Sequence, residues 1–270
     1  MQITRCGDPT VWSRARGKVS RAMTLAKLAE ECADAIAQAA SLDELAGVLA
    51  VIALDMGFRY FALTHHLDIP RAPRPAIRLH NYPAAWADYF DAQRLGPSDP
   101  VHRASHMTGV GFAWSRLPGL IQLTARDLDV LDRARRSGIG EGFTVPAHIP
   151  GEAAGSCSFA MKPGVPLRAD RLHLPQLVGG LAFEAARRLM MLRPLPADRP
   201  NLTDRQRECL YWAARGKTDG EIAGIIGISH ETVILHLKQA RARYGVYKRT
   251  QLAVHALFDG TLSFVDVLDR

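Results

Sequence analysis

Two adjacent histidines, four scattered cysteines and a dense basic run near the C-terminus are the residue types here that could do chemistry. His65 and His66 invite a metal, but they sit at the end of an apolar run that reads as a strand. Successive strand side chains point to opposite faces, so one ion could not easily take both; they are expected to be solvated loop histidines. Cys6, Cys32, Cys157 and Cys209 form no CxxC pair, so neither a zinc framework nor a redox motif is indicated. Reduced thiols in apolar surroundings are expected. There is no HExxH, GxSxG or P-loop, and Gly138, Gly140 and Gly142 make no GxGxxG and follow no strand. Catalysis and metal binding are therefore not expected. The basic run is different. From Ile228 to Phe258 stand Lys238, Arg241, Arg243, Lys248 and Arg249 against Glu231 alone. In a chain whose formal net charge is +7, that clustering points to a polyanionic partner.

These residues need elements to position them. The 270-residue chain is 47% hydrophobic and 23% charged, a globular balance that suggests two domains and excludes a disordered chain, a collagen or a rod. No apolar stretch is long enough to span a bilayer, and residues 1–22 lack the apolar run of a secretory leader, so a cytoplasmic protein is expected. Those 22 residues read as an arm without periodicity. From Met23, Leu25, Leu28, Cys32, Ile36 and Ala39 share one helix face. Ser41 and Glu44 read as a capping box for a helix that stops at Gly57. Phe58–Leu63 and Ile77–Asn81 read as strands, separated by Pro70, Pro73 and Pro75. Pro83 suits the first turn of a helix running to about Leu95. Gly111–Ser115 is a short apolar piece. Thr124 caps a helix with Leu128 and Leu131 inside. Gly142–Ile149 and Gly155–Met161 read as strands joined at Pro150–Gly151. A long helix to Leu192 places Leu177, Leu181, Ala185 and Leu189 on one side. Mixed helices and strands indicate an α+β domain over 23–192. Three prolines in residues 193–200 make a stiff linker, and 201–270 form a second, all-helical domain.

In that second domain Thr203 and Gln206 form a capping box, Asp219–Ile226 is a short helix, and Gly227-Ile228 makes a tight turn. Ser229 then caps a helix from His230 to about Tyr244, with Val233, Leu237 and Ala240 inward and His230, Ile234, Lys238 and Arg241 towards the other side. Two short helices around a glycine turn make a helix-turn-helix pattern, at about 219–238. The major groove, about 12 Å wide, admits such a helix. The run LTDRQRECLYWAARGKTDGEIAGIIGISHETVILHLKQARARYGVYKRTQLAVHAL, Leu202 to Leu257, resembles the DNA-binding domain of the LuxR family. Gln239 stands where many members carry Asn. The resemblance implies a four-helix domain. Lys217, Thr218 and Arg249 would contact phosphates, His230, Ile234 and Lys238 on the recognition helix would read bases of a palindromic double-stranded promoter, and Thr232 and Arg241 are further DNA-binding candidates.

The first domain must decide the input. A phosphorylated receiver needs an acidic pair after the first strand, and residues 23–63 have two helices first and no such pair. Instead NYPAAWADYFDAQRLGPSDPVHRASHMTGVGFAW resembles the autoinducer-binding domain of quorum-sensing LuxR proteins, in Tyr82, Trp86, Asp99, Trp114 and, further on, Gly142. That resemblance implies an α/β/α sandwich with an antiparallel sheet, N-acyl-homoserine lactone as the small-molecule ligand rather than a cofactor, a homodimer, and RNA polymerase as a candidate partner. Such a ligand offers two carbonyls, an amide N–H and an apolar tail, and so needs donors, an acceptor and an apolar cavity. An indole only donates, and an ionised carboxylate only accepts. The resemblance gives Trp86 the lactone carbonyl, Asp99 the amide N–H and Tyr82 the acyl carbonyl. Ser158 would be a second polar contact, Trp114 a wall beside the ring, and Thr144 part of the same region. Phe90, four residues after Trp86, replaces the Tyr of many members and removes one hydroxyl. Tyr89, about 100° away on the helix, is no obvious substitute. The expected function is a ligand-responsive transcription regulator and not an enzyme. The alternatives are a solo regulator of a foreign or non-lactone signal, and an acyl- or lactone-turnover enzyme fused to a DNA-binding domain.

Overall fold

The computed structural model describes residues 25–68, 76–149, 152–168, 172–191 and 200–268. The arm at 1–22, the prolines at 70, 73 and 75, the Pro150–Gly151 turn and the linker as far as residue 199 lie outside them. The chain divides into two compact units at residues 192 and 193.

The first unit is helical at α1 (Leu25–Gln38) and α2 (Leu42–Asp55), then enters β1 (Tyr60–His65) and β2 (Arg78–His80). Next come α3 (Ala84–Ala92), α4 (Pro100–Ser105), β3 (Phe112–Ala113), a 3-10 turn at Trp114–Arg116, α5 (Leu117–Leu120) and α6 (Ala125–Arg136). Strands β4 (Gly142–Ala147) and β5 (Gly155–Ala160) and the long α7 (His173–Leu189) complete it. All pairings in the five-stranded sheet are antiparallel, in the order β2-β1-β5-β4-β3.

Register sorts the sheet into two unlike faces. Residues directly opposite share a face, and alternate residues along a strand do too. On one face Phe61, Leu63, Phe143, Val145, Cys157 and Phe159 join one large core with α1, α2 and α7. Phe61 and Phe159 are fully buried, each worth about 1.5–3 kcal/mol of burial. The other face carries small or hydroxylated residues except at its β2 edge, where His80 and Arg78 stand. His80 pairs with Ala62, Ala62 with Ser158 and Ser158 with Thr144, while Arg78, Thr64 and Ser156 form the next row and Tyr60, Ala160 and Gly142 another. Short side chains there leave room between the sheet and α3 and α6, whose Trp86, Val130 and Ala134 form a second cluster with Ala160. The result is the expected α/β/α sandwich.

Several local expectations change. Ser41 caps α2, but the Glu44 carboxylate accepts from the Ala40 N–H, one residue outside the box. Pro83 is the cap of α3 rather than part of its first turn. Leu128 is exposed and Leu131 only half-buried, because the inward face of α6 is Asp127, Val130 and Ala134. Asp127 is drawn in by Arg103 and by its capping box with Thr124. Leu177 is likewise exposed, since α7 turns Leu174, Val178 and Ala182 to the core. His65 and His66 are buried rather than solvated. The strand runs through His65, which pairs with Gly155, and the ring of His66 is stacked on His102 of α4. Their opposed facing holds: His65 meets Phe183 of α7 while His66 bonds Ser156 on the other face. Helix α4 had no helical signal in the sequence beyond Asp99-Pro100.

The second unit contains α8 (Asp204–Ala214), α9 (Asp219–Ile226), α10 (His230–Arg243), α11 (Arg249–Phe258) and a short fifth helix, α12 (Phe264–Leu268), beyond the four expected. Thr203 and Thr218 each close a capping box, with Gln206 and Glu221, and Ser229 caps α10. Such caps are worth about 1 kcal/mol each. Gly227 ends α9 in the left-handed region at φ 70°, which a side chain would resist. Val233, Leu237 and Ala240 face the core with Cys209, Leu210, Ile222 and Leu252. Among the described residues no helix is long and apolar enough to cross a membrane.

Candidate ligand cleft and nucleic-acid surface

The small-residue face of the sheet is the floor of a cleft of about 930 Å³, mouth included. Tyr82, Trp86, Phe90, Asp99, Trp114 and Ser158 all line it. Trp86 is held on α3 in edge contact with Phe90. Tyr89 turns aside, packing on Trp86 with the Arg133 guanidinium 4.5 Å from its ring centre.

Asp99 has two tasks. Its Oδ1 caps α4, accepting from the N–H groups of Val101 at 2.9 Å and His102 at 3.0 Å. No bond reaches Oδ2 among the described residues, so that oxygen remains for a donor in the cleft. The Tyr82 hydroxyl is pushed well above the usual phenol range, by burial first and then by the Asp99 carboxylate. It therefore stays protonated and able to donate.

Thr144 is not part of the lining. It is fully buried and accepts from the Trp114 indole N–H at 2.8 Å while sharing a hydrogen bond of 2.8 Å with Ser158. Thus Trp114 spends its only donor on the sheet and offers the cleft a ring face. Gly142 makes this possible: a Cβ there would come 2.6 Å from that ring.

The sequence reading missed other lining groups. His102 bridges from α4, its Nδ1–H donating to the Gly96 carbonyl at 2.7 Å. Its ring stacks on His66 at 4.0 Å, and His66 in turn meets His106 at 3.3 Å. Burial, then His102 and its neighbouring histidines, push His66 far below the usual imidazole range. Among the described residues, no cluster of three ligating side chains could hold a metal ion. Arg78, His80, Asp68, Asp91 and Arg94 also line the cleft. Arg78 and His80 alternate on one strand and so share a face, but only the register with β1 shows that this face meets the cleft.

On the second unit, His230, Ile234 and Lys238 are exposed along one face of α10. Thr232 is half-buried with its hydroxyl 2.9 Å from Ser229. Arg241 donates to the Tyr247 carbonyl. Lys217 lies 3.7 Å from Glu221, and Thr218 is the cap of α9. Arg249 binds Asp219 and the Lys217 carbonyl, tying α11 to the start of α9. Gln239 accepts from the Gln206 amide at 2.9 Å.

Comparison with known proteins agrees with this division. Residues 41–189 match the family model "Autoinducer binding domain", and 200–256 match "Bacterial regulatory proteins, luxR family". The chain is 32% identical over 227 residues to the transcriptional activator protein AhyR of Aeromonas hydrophila, covering 82% of this chain and 86% of AhyR. It is 29% identical to the regulatory protein SdiA of Escherichia coli, over 78% of this chain and 86% of SdiA. A solved structure of SdiA in complex with octanoyl-rac-glycerol has the same fold, with a TM-score of 0.57 at 24% identity over 89% of this chain and 97% of that one. The chain belongs to the LuxR family of quorum-sensing transcription regulators, an autoinducer-binding domain for ligands of the acyl-homoserine lactone type followed by a DNA-binding helix-turn-helix domain.

Proposed function

We propose that an N-acyl-homoserine lactone lies in the cleft, its lactone carbonyl accepting from the Trp86 indole and its amide N–H donating to Asp99 Oδ2. The acyl carbonyl accepts from Tyr82, Ser158 supplies a second polar contact, and the Trp114 face walls the ring. The observation that carries this reading is the convergence of a donor-only indole, an acceptor-only carboxylate and a protonated phenol on one cleft. Ligand burial completes the space between sheet and helices and favours a homodimer, which places two α10 helices on a palindromic site. His230, Ile234 and Lys238 read bases there, Lys217 and Thr218 meet phosphates, and RNA polymerase is engaged at the promoter. The protein acts in the cytoplasm and turns over no ligand.

Calorimetry with a panel of acyl-homoserine lactones, followed by mass spectrometry of the ligand recovered, tests this. One-to-one binding that weakens in Asp99→Asn, with the lactone returned intact, is the expected result. Opened lactone would make the protein an enzyme. The SdiA complex with octanoyl-rac-glycerol supports a second reading, a solo regulator of non-lactone acyl signals; tighter binding of octanoylglycerol than of any lactone would establish it.

A further inference from the structure

One end of the cleft is polar in a way that the lactone contacts leave unused. Ser158 on β5, Ala62 on β1 and His80 on β2 are successive partners across the sheet. His80 thus stands two strand spacings, about 10 Å, from Ser158. Trp114 lies beyond Ser158, following β3 at the opposite edge. With the ring between Trp86 and Trp114, the acyl group runs towards β2. There Arg78 shares the face of His80, and Asp68 and Asp91 join them in the lining.

Three atoms at this end are buried and lack a hydrogen-bond partner among the described residues: Arg78 Nε, His80 Nδ1 and Asp68 Oδ1. A buried polar atom without a partner is costly, and all three belong to residues lining one end of one open space. Arg78 is anchored by its ion pair with Asp91, which fixes its guanidinium while leaving Nε unused. Burial, then the Arg78 cation, holds the His80 pKa down to about 4, with Asp91 opposing. The imidazole is therefore neutral at pH 7, with one ring nitrogen able to accept.

The geometry points to a ligand whose acyl group carries a hydroxyl at its far end, an alcohol or a phenol, bound by Arg78 and His80. This rests on the lactone reading of the other end. The hydroxyl oxygen accepts from the Arg78 Nε–H while its O–H donates a hydrogen bond to His80 Nδ1 or Asp68 Oδ1, so two of the three atoms gain a partner. A methyl terminus would leave all three dry and unmatched. A carboxylate would meet Asp68 and Asp91 as well as Arg78 and Arg94, with no net positive charge to offset its desolvation.

Calorimetry on the full chain with octanoyl-, ω-hydroxyoctanoyl- and ω-carboxyoctanoyl-homoserine lactone separates the cases. The hydroxyl ligand is expected to bind about tenfold tighter than octanoyl, with the carboxylate weakest. Arg78→Lys keeps the charge opposite Asp91 and removes the Nε donor; His80→Phe keeps a ring and removes Nδ1. In each, the hydroxyl-to-alkyl ratio should fall towards one, whichever way the absolute affinities move. The wild-type comparison needs no variant and so does not depend on their folding. Octanoyl binding as tightly as the hydroxyl ligand, while still weakened by Asp99→Asn, overturns the hydroxyl subsite and leaves the lactone reading standing. A hydroxyl preference that survives both variants also overturns the assignment. Binding of none of the three overturns both readings.

Discussion

The two domains handle polar groups in opposite ways. In the first, His65, His66, Asp99, His102, Ser105, Asp127, Thr144, Ser156, Ser158 and Arg187 are buried; in the second, only Gln206 and Asp259 are, among the described residues. The helical domain satisfies its backbone ends with Thr203, Thr218 and Ser229 and keeps its core apolar. Its chemistry faces outward, where DNA lies. The sandwich domain instead carries hydroxyls, carboxylates and imidazoles inside, and four buried side-chain atoms there lack partners among the described residues, against one, His236 Nδ1, in the helical domain. A domain that closes around a small polar molecule needs internal groups left over by its own folding, whereas a domain that grips a duplex does not. That contrast can be broken experimentally.

The largest effect should come from Arg187. Its guanidinium is one-tenth exposed and binds Glu152, itself about one-tenth exposed, together with Glu184. Arg187→Leu strands the Glu152 charge and should cost about 3–5 kcal/mol. Adding Glu152→Leu should restore most of that, because the pair is then replaced by apolar volume. Urea unfolding followed by regional hydrogen exchange should show the loss in the first domain and not in the second. Equal losses in both would mean that the domains unfold as one.

Acid should discriminate the domains next. The pKa of His80 is held at about 4 and that of His66 lower still, both chiefly by burial. Unfolding returns each to about 6.5, so below that pH the unfolded chain binds more protons than the native one. Stability contributed by these neutral rings is complete above about pH 6.5 and falls as pH drops. The slope approaches about 1.4 kcal/mol per pH unit for each ring, flattening near pH 4 for His80. Stability curves at pH 7, 6 and 5 test this. A first domain indifferent to pH over that range would show that the histidines ionise in place.

Asp99 separates fold from binding. Asn caps a helix as well as Asp does, so Asp99→Asn should retain α4 while presenting an amide where Oδ2 stood. Ligand affinity should fall about tenfold or more, the loss of one charge-assisted bond of about 1.5–3 kcal/mol. Asp99→Ala should lose the same binding and about 1 kcal/mol of cap besides. Unchanged affinity in the Asn variant would remove Asp99 from the ligand.

What the sequence revealed follows the same divide. The second domain was legible nearly residue by residue, because caps, a glycine turn and a 3.6-residue period are local signals. The helix Arg249–Phe258 was expected only through the resemblance to a four-helix domain, and α12, a five-residue helix too short to show a period, escaped. In the first domain strands and long helices were legible, but the inward faces of α6 and α7 were not. Leu128 and Leu177 looked internal by type, while the actual faces were set by distant partners such as Arg103 on Asp127. The cleft was legible through Tyr82, Trp86, Phe90, Asp99, Trp114 and Ser158 by resemblance. Its Arg78 and His80 end was not, because which face of a three-residue strand meets a cavity depends on register with β1. The polar atoms of Thr144 and Arg249, two residues expected at the ligand and at DNA, are engaged within the protein.

The smallest differences should arise on the outer surface, and they sharpen the contrast at its other end. Lys238 is exposed on α10, beside His230 and Ile234, whereas Lys217 precedes α9 and lies near Glu221. A base contact is worth about 1–3 kcal/mol on the cognate site and little elsewhere. A phosphate contact is independent of sequence, and its loss reduces the log–log salt slope by about 0.9. Lys238→Ala should therefore weaken binding to the cognate duplex alone and relax preference at one base pair. Lys217→Ala should weaken cognate and scrambled duplexes alike, by less, since its charge is already shared with Glu221. Neither should alter ligand affinity or unfolding, because neither side chain is buried. Titrations of both variants on both duplexes across a salt series decide it. If Lys238→Ala loses affinity equally on the two duplexes, α10 touches the backbone at that position, and base reading passes to His230 and Ile234, nearer the helix start.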